Sequence, residues 1–239
     1  TMMRDTFHKF ADDVVMPLAE EVHRQDLIIP DAILQPLRDM GVFGLSIPES
    51  YGGLQEDDKE DTMGMIVVTE ELSRGSLGAA GSLITRPEIL ARALLKGGTE
   101  EQKQHWLPGI ASAEILPTAV FTEPNTGSDL GALRTRAVRD GDDWKITGNK
   151  TWITHAARTH VMTLLARTDP EVHGTRGLSL FLVEKYLADG ARNPIDMVRL
   201  KEKLGVRSMA SAELGQAIIE AALEKVVEFL EDFIAEGEA

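Results

Sequence analysis

The chain has 239 residues, 43% hydrophobic and 27% charged, enough for one large domain or two modest ones with a real core. Zero cysteines exclude disulfides, thiolate metal sites and a cysteine nucleophile, and they fit a reducing, cytoplasmic setting. The net charge is −14, and the stretch from Glu213 to Ala239, with eight acids and one lysine, holds half of it; no basic face suited to nucleic acid remains. No apolar run approaches the roughly 20 residues of a membrane span. The opening residues lack targeting character, and the six histidines lack metal-site spacing.

Residues 1–113 read as a helical domain. Phe7, Phe10, Val14, Leu18 and Val22 recur at helical spacing, with Pro17 inside the run as an expected kink. Ile33, Leu34, Leu37 and Met40 form the next stripe, closed by Gly41 at a position that favours left-handed backbone. Thr62 to Leu72 and Glu88 to Leu95 make two further helices, the second with Pro87 just ahead of it. Thr99 and Gln102 fit a capping box for a short helix ending before Pro108.

Residues 114–212 read as an antiparallel β-domain. Thr118–Thr122, Leu133–Arg139, Trp144–Thr147, Thr151–Thr154, His160–Thr168 and Leu178–Val183 are β-prone runs, with turn signals at Asp140-Gly141-Asp142, Gly148-Asn149 and Gly174. Residues 213–239 return to helix. There Ile219, Leu223, Val226, Leu230 and Phe233 make a narrow seam suited to packing on the chain or on a second copy.

Two motifs carry the chemistry. Thr122-Glu123-Pro124-Asn125-Thr126-Gly127-Ser128-Asp129 opens a polar loop that offers amides and hydroxyls to a ligand. By composition alone it is an ordinary turn. Lys150-Thr151-Trp152-Ile153-Thr154 by itself is a hairpin strand with a core tryptophan. In this order, however, the two resemble the T-E-P-x-x-G-S-D and K-x-W-I-T motifs of the acyl-CoA dehydrogenase family. Gly44, Pro48 and Tyr51-Gly52-Gly53, the segment Gly98-Thr99-Glu100-Glu101-Gln102-Lys103 with Leu107-Pro108, and Lys203-Leu204-Gly205-Val206-Arg207-Ser208 add to the resemblance. Thr85 to Leu90 and Arg158 to Pro170 look most like the branch that desaturates methylsuccinyl-CoA.

The resemblance implies an α+β fold, a helical domain followed by the β-domain, with FAD as cofactor and an acyl-CoA thioester as substrate. It also implies an electron-transfer flavoprotein as electron acceptor and a homo-oligomer. Phe121, Thr122, Trp152 and Thr154 would line the flavin, and Ser128 would touch the thioester ligand. The family's glutamate base has no match in this sequence. The strand expected after Ser208 is replaced by a helix, so the expectation is a catalytically incomplete chain. A non-catalytic assembly module on the same scaffold, or a related flavin oxidase or monooxygenase, are the alternatives.

Overall fold

The apolar stripe that begins at Phe7 folds as two helices around a wide turn. In the computed structural model, which describes residues 2–25, 27–141, 143–156, 158–186, 190, 193 and 195, α1 spans Met2–Phe10 and α2 spans Met16–Arg24. Between them Ala11–Val15 form a π turn, in which the Met16 N–H reaches back to Ala11 O. Pro17 has no N–H to give, and its ring would crowd the carbonyl four residues back, so the ladder widens just ahead of it. The kink expected from Pro17 takes the form of this bulge. α3 (Asp31–Asp39) buries Ile33, Leu34 and Leu37, and Gly41 takes a φ of +68° beyond its end, as its position in the sequence requires.

α4 (Thr62–Ser76) is capped by Asp61, whose carboxylate accepts from the N–H groups of Met63 and Gly64. A second π turn, Leu77–Gly81, leads into α5 (Ser82–Gly97). Pro87 lies inside α5 and not ahead of it. Likewise α6 (Glu100–Ala111) runs through Pro108 instead of ending before it. Burial decides both cases: Leu83, Ile84, Pro87 and Leu90 on α5, and Leu107, Ile110 and Ala111 on α6, are buried. That apolar area outweighs the roughly 3 kcal/mol that a helical proline costs. α6 begins with the expected capping box between Thr99 and Gln102.

One core gathers Phe7, Val15, Leu34, Leu37, Val68, Leu72 and Ile84 between the first five helices. A second joins helices to strands: Ile47, Leu90, Leu94, Leu107 and Ile110 pack with Val161. The loop at Ile47 is drawn tight by Gln55 N bonding to Ile47 O (3.0 Å) and Gly53 N to Pro48 O (3.0 Å). A Cβ at Gly53 would stand 1.8 Å from Ile47 O, so only glycine fits. Gly53→Ala is expected to cost about 1–3 kcal/mol or more. Gly97→Ala, where a Cβ meets nothing within 4 Å, serves as the control. Equal thermal melts for the two variants would contradict this account.

The β-domain comprises β1 (Pro117–Val120), β2 (Arg136–Asp140), β3 (Asp143–Thr147), β4 (Val161–Arg167) and β5 (Leu178–Glu184). The sheet is mixed and not wholly antiparallel. β2 with β3 and β4 with β5 are antiparallel, but β1 runs parallel to β4 (Pro117↔Val161 to Val120↔Leu164), and β2 meets β4 in parallel at Arg136↔Arg167. Two strands therefore share one edge of β4, with a gap between them. The chain between β1 and β4 contains a whole hairpin, which gives it the length that a parallel crossover needs.

The fourth expected strand, Thr151–Thr154, does not form. Trp152 and His155 both take a φ of +60°, and such left-handed residues cannot continue a ladder. Lys203 to Ser208 and the expected acidic helix, with its expected seam from Ile219 to Phe233, lie outside the described residues. Among the described residues no helix is long and apolar enough to cross a membrane.

Candidate functional site

The gap on the β4 edge is where the first motif sits. β1 ends at Val120, and residues 121–135 loop out before β2 rejoins β4, where Arg167 N bonds to Thr135 O at 2.7 Å. Inside that loop Glu123 and Thr126 exchange two backbone hydrogen bonds, Glu123 N to Thr126 O at 2.8 Å and the reverse at 3.2 Å. The Thr126 hydroxyl then donates to Asp129 O at 2.9 Å, closing the turn on itself.

Glu123 points inward. Its carboxylate accepts from Arg134 N (2.7 Å), from Thr135 N (2.8 Å), from the Thr135 hydroxyl and from Lys150 Nζ (3.1 Å). Burial alone would push the carboxyl up. The Thr135 hydroxyl, the two N–H groups and the Lys150 ammonium outweigh it and hold the pKa at about 2. The Lys150 ammonium is pushed down by burial, with Glu123 opposing. Lys150 also donates to Phe121 O at 2.9 Å, and Thr151 N donates to Thr122 O at 2.9 Å. The two motifs are thus stitched side by side.

Beyond this stitch the second motif turns sharply. Trp152 adopts its left-handed backbone and is 47% exposed, so it is not a core tryptophan. Thr154 is buried; its carbonyl accepts from the Thr118 hydroxyl on β1, and its hydroxyl accepts from Arg86 Nη2 at 3.3 Å. Left-handed non-glycine backbone costs of order 1–3 kcal/mol, and it persists where surrounding bonds over-determine the chain.

Arg86 projects from α5 and is half-buried. Burial pushes its guanidinium down from the ordinary value. Among the described residues it has no carboxylate partner, and its Nε is buried without a hydrogen-bond partner. The Thr151 hydroxyl is likewise buried and unpartnered.

Of the residues picked out from the sequence, Phe121 and Thr122 lie half-buried just past β1, joined to Thr151 and through it to Trp152. Thr154 is one turn further on, against β1 and α5. Ser128 sits apart on the exposed tip of the loop, and no hydrogen bond among the described residues ties it to the others. Glu123, Lys150, Thr118 and Arg86 received no role from the sequence. The acid and the base stand inside the two motifs, so their signal was present, but only the fold makes them a pair. An open concavity of about 360 Å³ lies against Glu123, Asn125, Arg134, Thr135 and Asn149, away from Trp152 and Thr154. Among the described residues no cluster of His, Cys, Asp and Glu could hold a metal ion.

The family model "Acyl-CoA dehydrogenase, N-terminal domain" matches residues 1–114, and "Acyl-CoA dehydrogenase, middle domain" matches residues 118–216. The (2S)-methylsuccinyl-CoA dehydrogenase of Cereibacter sphaeroides is 57% identical over 218 residues, covering 90% of this chain and 39% of that protein. The glutaryl-CoA dehydrogenase of Desulfococcus multivorans is 32% identical, covering 89% of this chain and 53% of that protein. A solved glutaryl-coenzyme A dehydrogenase–glutaryl-CoA complex superposes with a TM-score of 0.69 at 34% identity, covering 77% of this chain and 46% of that one. The chain spans about half the length, or less, of these relatives. It is, on its two matched domains and on the fold they share, a member of the acyl-CoA dehydrogenase family.

Proposed function

We propose that this chain belongs to an FAD-dependent enzyme that desaturates a dicarboxylic acyl-CoA thioester, methylsuccinyl-CoA to mesaconyl-CoA. The observation that carries the reading is Arg86, a desolvated guanidinium with no carboxylate partner among the described residues, hydrogen-bonded to Thr154. A half-buried cation left without a counter-charge still carries part of the desolvation cost, and a ligand carboxylate would relieve it through paired N–H bonds. The free carboxylate of methylsuccinyl-CoA is such a group, and the 57% identical relative carries that substrate in its name.

The residues present fit a flavin. Trp152 offers a broad exposed ring held by constrained backbone, beside the unpartnered Thr151 hydroxyl. When bound, FAD would accept the hydride from the β-carbon. Phe121, Thr122, Trp152 and Thr154 would hold and orient it, and Ser128 would meet the thioester ligand. Arg86 would fix the far end of the acyl group so that the α- and β-carbons face the flavin. No described residue is assigned as the base. An electron-transfer flavoprotein as acceptor, a homo-oligomer and a cytoplasmic setting belong to the same reading.

The test is titration of the purified 239-residue chain with FAD, followed by flavin fluorescence. Trp152→Ala is expected to weaken FAD by about tenfold, as loss of one aromatic contact of up to ~1.5 kcal/mol implies, with little change in melting because the side chain is exposed. A drop in melting with unchanged FAD affinity would remove Trp152 from the flavin site. No FAD binding by the unaltered chain would remove the cofactor.

A further inference from the structure

Lys150 and Glu123 are a buried ion pair, with side chains 9% and 8% exposed, 27 residues apart in sequence. Such pairs are weak contributors to stability, because apolar residues of similar volume commonly do as well. Its placement is more informative than its energy. Lys150 spends a second hydrogen bond on Phe121 O, and Thr151 N takes Thr122 O, so both carbonyls turn toward the second motif. The Phe121–Thr122 peptide is trans, so its N–H points opposite to the carbonyl that Lys150 holds. That Thr122 N–H donates to no described residue. An amide donor is thereby left facing away from the clamp, next to a segment that continues into the left-handed Trp152.

We propose that the Glu123–Lys150 pair is a positioning device for the cofactor, resting on the flavin reading above. Glu123 anchors the Lys150 ammonium, the ammonium locks the Phe121–Thr122 peptide, and the locked peptide presents its N–H to an acceptor atom of the flavin ring system. The same lock sets the register of Thr151 against Thr122, and with it the pose of Trp152. Neither charged group touches the cofactor. Both act through the backbone they hold.

The test uses the full chain and three readouts: FAD affinity, thermal melting, and ¹⁹F spectra of protein labelled with 5-fluorotryptophan. The sequence has 3 tryptophans, and Trp152→Phe assigns the Trp152 resonance. Lys150→Met is expected to move that resonance without FAD, to leave those of Trp106 and Trp144 in place, and to weaken FAD by about tenfold, the value of one aimed hydrogen bond. The double variant Glu123→Gln/Lys150→Met removes both charges, so it should recover melting temperature without recovering FAD affinity. It also stands in if Lys150→Met does not fold. Recovery of FAD affinity along with melting in the double variant would reduce the pair to a structural tie and overturn the proposal. So would a Trp152 resonance that stays in place. If the unaltered chain binds no FAD, the flavin reading fails, and the ¹⁹F arm still decides whether the pair sets the pose of Trp152.

Discussion

Glu123→Ala should cost about 3–5 kcal/mol of stability, the usual effect of breaking a buried ion pair and leaving the other charge uncompensated. Lys150 would stay buried with Phe121 O as its one remaining partner among the described residues, and the Arg134 and Thr135 N–H groups would lose their acceptor. Against the roughly 5–15 kcal/mol that holds a typical domain together, this is a large fraction. Chemical unfolding of the two proteins measures it. The same carboxylate predicts a pH dependence. It titrates at about 2 in the folded chain against an ordinary 4.5. A carboxyl held down in this way adds stability that is complete above about pH 4.5 and is lost as the pH falls toward about 2. A gap of that size corresponds to about 3 kcal/mol. Glu123→Gln should flatten the stability profile across that window. A mutant profile parallel to the unaltered one would mean that another carboxylate dominates acid unfolding.

If Arg86 holds the free carboxylate as proposed, Arg86→Gln should erase a preference for a dicarboxylic thioester. A hydrogen bond to a charged group contributes about 1.5–3 kcal/mol, so affinity for methylsuccinyl-CoA should fall about 10- to 100-fold. Butyryl-CoA, which lacks the second carboxylate, should bind no worse and could gain, because glutamine removes a desolvated charge. The ratio of the two dissociation constants on the FAD-loaded chain is the quantity to measure. Equal losses for both thioesters would show Arg86 to be a support for Thr154 and not a specificity group. Arg86→Lys should recover only part of the ratio, since an ammonium cannot reproduce the paired geometry of a guanidinium.

The sequence alone settled what depends on local spacing. The stripe of Ile33, Leu34 and Leu37 became the buried face of α3, Gly41 took its left-handed turn, and Thr99 with Gln102 closed its capping box. These features need neighbours only three or four residues away, so the pattern is complete in one dimension. The order of the two motifs likewise sufficed to identify the family. Tertiary structure decided the rest. Pro87 and Pro108 look like helix ends from their neighbours, but buried apolar faces carry α5 and α6 through them. Thr151 to Thr154 has the composition of a strand, yet a bond donated by the Thr118 hydroxyl and one accepted by Thr122 O, both distant in sequence, hold it as a constrained turn with Trp152 exposed. The parallel pairing of β1 with β4 and the union of Glu123 with Lys150 are set by the crossover between them. Arg86 acquires its chemistry in the same way. A surface arginine and a desolvated one are the same letter, and only packing of α5 against the β1 side of the sheet tells them apart.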